Sequence, residues 1–89
     1  MLEKSFQLGL LGGGNMAEAV IRSAIEGGVL KPSQMIVFDP SPQRRDLLAS
    51  LGVHVAEHNQ QVITQSSHLL LAVKPQTLSA ICQDLKQVD

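Results

Sequence analysis

The residues with the clearest chemical potential are small ones, Gly12, Gly14 and Ala17, which follow an apolar run that ends at Leu11. In the spacing Gly-x-Gly-x-x-Ala, the first glycine allows a sharp turn off a strand, and the second leaves room for phosphates to approach the main chain. The small third residue lets the next helix pack closely, with its free N–H groups facing the anion. The pattern predicts a site for a dinucleotide diphosphate. The alternative is a tight connection without a ligand.

A second group of polar residues follows the apolar run at 35–38, where Asp39 is succeeded by Ser41, Arg44 and Arg45. An acid at this place accepts hydrogen bonds from a free ribose diol and favours NAD. An arginine in the same loop pairs with a 2′-phosphate and favours NADP. The residues therefore leave the choice open. The alternative is a plain turn at Asp39, with the arginines on a solvated helix face.

A third group follows the apolar run at 69–73 and comprises Ala72, Val73, Lys74 and Pro75. Ligands of open α/β sheets bind beyond the carboxyl ends of the strands, so we expect the main chain of this loop to flank the nicotinamide ribose. Lys74 is equally consistent with a plain surface charge on a turn.

The elements that must position these groups alternate between strands and helices. We predict a helix over 15–26 that ends at Gly27 and packs through Met16, Val20, Ile21, Ala24 and Ile25. A strand over 35–38 precedes a helix that Ser41 caps and Gly52 ends. A strand over 53–56, a brief helix capped by Asn59, a fully buried strand over 69–73 and a helix from residue 76 follow.

This alternation predicts the fold class. We expect an α/β domain with a Rossmann-type parallel sheet, strand order 3-2-1-4 and helices on both faces.

Composition narrows the class of protein. Eighty-nine residues, 44% of them hydrophobic, with a net charge of -1, predict one soluble domain. No basic stripe, bilayer-length apolar run or signal peptide is evident, so we expect no nucleic-acid or membrane partner and a cytoplasmic location. Cys82 lies on the apolar side of the last predicted helix, and the three histidines lack metal-ligand spacing, so we predict no metal site.

Several motifs together resemble the amino-terminal domain of the pyrroline-5-carboxylate reductase family. They are Leu11-Gly12-Gly13-Gly14-Asn15-Met16-Ala17-Glu18-Ala19, Val37-Phe38-Asp39-Pro40, Gly52-Val53, Asn59 and Leu71-Ala72-Val73-Lys74-Pro75-Gln76. The resemblance covers nearly the whole chain. It departs at Ser67-His68, where the family often has Ala-Asp.

The resemblance implies a function. Members reduce 1-pyrroline-5-carboxylate to L-proline with NADPH or NADH, in the last step of proline biosynthesis. By this match NADP(H) is the expected cofactor and NAD(H) the alternative. The implied cofactor-binding residues form three sets: Gly12, Gly13, Gly14, Asn15 and Met16 at the diphosphate; Asp39, Ser41, Arg44 and Asn59 at the adenosine end; and Ala72, Val73, Lys74 and Pro75 near the nicotinamide ribose.

Family members are much longer, with a helical domain that forms the dimer and closes the substrate site. We therefore expect residues 1–89 to be the NAD(P)-binding domain alone, with no catalytic residues in this segment and no reductase activity by itself. The full-length enzyme is expected to be a homo-oligomer that acts on a small molecule.

Two other functions remain open. One is the cofactor domain of a hydroxy-acid dehydrogenase relative, against which Lys74-Pro75-Gln76 argues. The other is a non-catalytic NAD(P)-sensing module.

Overall fold

The computed structural model describes residues 5–71, which form a four-stranded sheet and three α-helices. In chain order the elements are β1 (Phe6–Leu11), α1 (Asn15–Glu26), a 3-10 turn (Pro32–Gln34), β2 (Met35–Phe38), α2 (Pro42–Ala49), β3 (His54–Val55), α3 (Asn59–Gln65) and β4 (Ser66–Leu71).

The strands are all parallel and lie in the order β3-β2-β1-β4. In the centre of the sheet Leu10 of β1 lies opposite Val37 on one side and Leu70 on the other. The predicted strand order is therefore confirmed. The chain winds in opposite directions from β1, so the carboxyl end of β1 lies at the switch point where open α/β sheets bind ligands.

Alternation along β1 divides the core between two faces. Leu10 is fully buried in a cluster with Ala17 and Ile21 of α1 and Leu48 of α2. Leu11 points the other way and is buried with residues of β2 and α3, namely Ile36, Val62 and Ile63. Because successive side chains of a strand alternate, α1 and α2 cover one face while α3 covers the other. Helices on both faces are confirmed.

Helix α1 has the predicted bounds, but its buried stripe is narrower than predicted. Ala17 and Ile21 are fully buried, whereas Met16 is 65% exposed. Positions 17 and 21 are one helical turn apart and face the sheet, and this places Met16 beside the stripe at the open end of the helix. The expectation that Met16 packs in the core is therefore wrong.

Helix α2 begins as predicted, since the Ser41 hydroxyl accepts a hydrogen bond from the Arg44 N–H at 3.4 Å. It ends at Ala49, three residues before Gly52. Gly52 has φ +92° and completes the turn that follows the helix. The predicted stop is therefore the end of the turn rather than of the helix.

Two later elements also begin elsewhere than expected. Strand β3 is shorter than the predicted 53–56. Asn59 is the first residue of α3, and His58 occupies the capping position without a side-chain hydrogen bond.

Strand β4 begins at Ser66, and the prediction that it is fully buried is wrong for its described part. Leu69 is 39% exposed and Leu71 is 44% exposed. Among residues 5–71, β4 pairs with β1 alone, so it is an edge strand of the described sheet and has less cover. Residues 72–73 of the predicted strand, the helix from residue 76 and Cys82 lie outside the described residues.

Within residues 5–71 no helix is long and apolar enough to cross a bilayer. In the same part of the chain no three metal-ligating side chains are grouped.

Candidate functional site

The turn after β1 leaves the sheet abruptly at Gly12. This residue has φ +102°, a conformation that side chains disfavour and glycine adopts freely. Its N–H donates to the Phe38 carbonyl at 2.9 Å, which ties the turn to the end of β2. The first glycine of the motif therefore does what the spacing predicts.

The N terminus of α1 is open. Gly14 occupies the capping position, and no side chain caps the helix. The first helical hydrogen bond runs from the Glu18 N–H to the Gly14 carbonyl at 3.0 Å. The N–H groups of Asn15, Met16 and Ala17 therefore have no acceptor within the helix. A Cβ placed on Gly14 would meet nothing within 4 Å, so space remains beside these donors.

Gly13, in contrast, is packed against the segment that follows β2. Its N–H donates to Asp39 Oδ2 at 2.9 Å, and Asp39 Oδ1 accepts from the Ser41 N–H at 2.8 Å. A Cβ on Gly13 would lie 2.6 Å from Leu48 Cδ1 and 2.9 Å from Asp39 Cβ. Asp39 thus joins the glycine turn to the start of α2.

Arg44 reaches the same turn from α2. Its Nε donates to the Gly13 carbonyl at 2.6 Å, and its Nη2 donates to Glu18 Oε1 at 3.0 Å. Glu18 also accepts from Arg22 Nε through Oε2 at 2.9 Å. Both hydrogen bonds lower the pKa of the Glu18 carboxyl below its ordinary value, and the bond from Arg22 has the larger effect.

Arg45, the second arginine of α2, contacts the segment after β2 rather than the glycine turn. Arg45 Nη1 donates to the Asp39 carbonyl at 2.8 Å, and its guanidinium lies 6.0 Å from the centre of the Phe38 ring. The ring contact is within the range of a cation–π interaction, and the hydrogen bond ties Arg45 to the main chain at Asp39.

The structure brings together most of the residues that the sequence singled out. The glycine turn, Asp39, Ser41 and Arg44 are linked by direct hydrogen bonds. Asn59 begins α3 at the same edge of the sheet, since the carboxyl ends of parallel strands share one edge. Ala72, Val73, Lys74 and Pro75 lie outside the described residues.

Glu18 belongs to this network, although the sequence alone assigned it no role. Its pairing with Arg22, four residues later, is a signal that the sequence contains. Its pairing with Arg44 joins residues 26 apart in the chain, and local spacing does not predict it.

Comparisons with known proteins agree with this geometry. Residues 7–89 match the family described as NADP oxidoreductase, coenzyme F420-dependent. A pyrroline-5-carboxylate reductase of Pasteurella multocida is 42% identical over 83 residues, a match that covers 89% of this chain and 30% of the relative. The chain therefore spans less than a third of the length of that relative.

Solved structures show the same likeness. A pyrroline-5-carboxylate reductase of Coxiella burnetii superposes with a TM-score of 0.85 at 29% identity, covering 96% of this chain and 32% of that one. The V8 variant of an imine reductase from Myxococcus stipitatus, in complex with NAD+, gives a TM-score of 0.72 at 26% identity, covering 92% of this chain and 26% of that one.

The resemblance to pyrroline-5-carboxylate reductases is therefore confirmed. With its Rossmann-type sheet, its open glycine turn and a family match over residues 7–89, the chain belongs to the family of NADP oxidoreductases described as coenzyme F420-dependent.

Proposed function

We propose that residues 1–89 are the NAD(P)-binding domain of a pyrroline-5-carboxylate reductase, which reduces 1-pyrroline-5-carboxylate to L-proline. The observation that carries the proposal is the open N terminus of α1 after the glycine turn, at the switch point of the sheet. The likeness to the Pasteurella multocida enzyme, named for this activity, supports the choice of substrate.

The diphosphate of the cofactor fits the open turn. The N–H groups of Asn15 and Met16 point out of the first turn of α1, and the missing side chain of Gly14 leaves room for the anion. The positive end of the helix dipole favours negative charge at this place. When bound, the nicotinamide supplies hydride chemistry, and this chain contributes position and electrostatics.

The residues after β2 are proposed to bind the adenosine end of the cofactor. Asp39 accepts one main-chain N–H on each carboxylate oxygen, and each oxygen retains a lone pair for a ribose hydroxyl. Ser41 donates its main-chain N–H to Asp39, and its hydroxyl accepts from the Arg44 N–H. The family that the chain matches is described as NADP oxidoreductase, and this favours NADP(H). We propose NADP(H) as the cofactor, with NAD(H) as the alternative.

The remaining assignments follow from the family resemblance. Asn59 is proposed to approach the adenosine, and Ala72, Val73, Lys74 and Pro75 to lie near the nicotinamide ribose. The groups that bind the imine, the homo-oligomer contacts and a cytoplasmic location are proposals for the whole enzyme.

A domain exchange tests the proposal. Residues 1–89 replace the matching amino-terminal part of the Pasteurella multocida reductase, and NADPH oxidation is measured with 1-pyrroline-5-carboxylate. We expect the chimaera to form L-proline, and the same chimaera with Gly14→Val to lose most of this activity. A folded chimaera that binds neither nicotinamide nucleotide would contradict the proposed function.

A further inference from the structure

The geometry points to Arg44 as a positioning residue of the glycine turn, which acts on both cofactors alike, rather than as a reader of the 2′-phosphate. This inference rests on the proposed function, since it concerns how the same site binds its nucleotide. It differs from the expectation that the sequence supports, in which an arginine after β2 distinguishes NADPH from NADH.

The two peptide groups that flank Gly13 are held by different side chains. Asp39 accepts the N–H of the peptide between Gly12 and Gly13 at 2.9 Å. Arg44 donates to the carbonyl of the peptide between Gly13 and Gly14 at 2.6 Å. Both side chains come from the segment after β2, so this segment fixes the orientation of two successive peptides in the turn.

The second of these peptides includes the Gly14 N–H. In a planar trans peptide the C=O and the N–H point in opposite directions. Because the Gly13 carbonyl points at the Arg44 guanidinium, the Gly14 N–H must point away from it. A charged donor on the carbonyl also polarises the peptide and strengthens its N–H as a donor to an anion. Arg44 therefore aims and strengthens one donor of the proposed diphosphate site.

Glu18 keeps Arg44 in this place. Its Oε1 accepts from Arg44 Nη2 at 3.0 Å while Arg44 Nε bonds to the Gly13 carbonyl. The Arg44 side chain is 27% exposed, against 47% for Arg22. A move toward a 2′-phosphate would break two hydrogen bonds, one of them to the turn on which both cofactors depend.

Arg22 provides a matched control. Like Arg44 it pairs with Glu18, at 2.9 Å, but no hydrogen bond joins its side chain to the turn in the described part of the chain. Replacing either arginine with alanine removes one positive charge and one ion pair with the same carboxylate. The difference between the two variants isolates the bond to the Gly13 carbonyl.

The test measures the Kd of NADH and of NADPH for the wild type, Arg44→Ala and Arg22→Ala. It also records the amide ¹⁵N–¹H signal of Gly14 without nucleotide. We expect Arg44→Ala to raise both Kd values by a similar factor, roughly tenfold, as for the loss of a hydrogen bond to a charged group. The Gly14 signal should shift in Arg44→Ala and stay in place in Arg22→Ala.

Loss of NADPH binding alone, or an equal effect of Arg22→Ala, would overturn the inference and leave the proposed function standing. If the wild type binds neither nucleotide, the proposed function fails, and the Gly14 signal still decides whether Arg44 orients the turn. If Arg44→Ala does not fold, Arg44→Lys takes its place, because lysine keeps the positive charge but lacks the planar guanidinium with its several donors. If Arg44 positions the turn, Arg44→Lys should bind both nucleotides more weakly than the wild type.

Discussion

Two glycines near the start of the chain lie in opposite surroundings. A Cβ on Gly9, in β1, would lie 2.1 Å from Ser66 Oγ and 2.7 Å from Val62 Cγ1. A Cβ on Gly14, at the start of α1, would meet nothing within 4 Å. The fold explains why Gly9 has no side chain, because β4 and α3 occupy that space. Nothing within the described protein fills the space at Gly14, where the proposed diphosphate would bind.

The largest effect on stability is expected from Gly9→Ala. The new methyl group would overlap the buried Ser66, whose hydroxyl donates to the Val62 carbonyl at 2.6 Å. Overpacking of this kind costs about 3 kcal/mol of unfolding free energy, at the upper end of the usual range. Urea denaturation of the wild type and the variant measures the difference.

A second substitution identifies the cause. In Gly9→Ala/Ser66→Gly the overlapping oxygen and Cβ are absent, and we expect part of the lost stability to return, as a coupled pair requires. A loss below about 0.5 kcal/mol for Gly9→Ala, the size of an ordinary surface change, would mean that β1 and β4 are not packed as described.

Gly14→Val is expected to weaken nucleotide binding strongly and to change folding stability little, the opposite of Gly9→Ala. Gly14 has φ -78° and ψ -165°, an extended conformation that valine adopts. The side chain would fill the space that the diphosphate needs, and we expect the Kd of both nucleotides to rise roughly 100-fold, which is about 2.7 kcal/mol. Isothermal titration measures the Kd, and thermal unfolding checks the fold.

Gly27→Ala is the control for this change, since Gly27 caps the opposite end of α1. It should leave nucleotide binding unaltered. If Gly14→Val binds as tightly as the wild type, the diphosphate does not approach α1 at this turn.

The smallest effect concerns the charge of Glu18 beside the turn. Its pKa in the folded protein lies below the ordinary value, because Arg22 and then Arg44 donate hydrogen bonds to the carboxylate. The two ion pairs of Glu18 therefore stabilise the folded protein fully at pH values above the ordinary pKa of a glutamate. This stabilisation is lost as the pH falls through the lowered pKa of Glu18 in the folded protein. We expect Arg22→Ala to raise the Glu18 pKa more than Arg44→Ala does, as measured by carboxyl ¹³C NMR. An unchanged pKa in both variants would contradict the ion pairs.

Much of the fold follows from local patterns in the sequence. The glycine spacing, the apolar run at 35–38 and the Ser41-Pro42 helix start predict elements that the structure contains. The errors arise where tertiary context decides. Met16 fits the helical period yet lies at the open end of α1. The apolar run of β4 suggested full burial, although the predicted strand order already places this strand at an edge of the sheet.

The candidate site was predictable in part for the same reason. Spacing located the turn, Asp39 and Ser41, because each follows a strand or begins a helix. The contacts of Arg44 with Gly13 and Glu18 cross from one helix to another and depend on how α2 packs beside the turn. No local pattern contains that information, so the sequence suggested a different partner for this arginine.

An amide ¹⁵N–¹H NMR titration of the protein with NADPH and with NADH decides whether the start of α1 binds the nucleotide. We expect the signals of Gly14, Asn15 and Met16 to shift first and most with either nucleotide, because the diphosphate that both nucleotides share is proposed to bind the N–H groups there. Signals of this turn that stay in place with both nucleotides at saturating concentration would contradict this proposal.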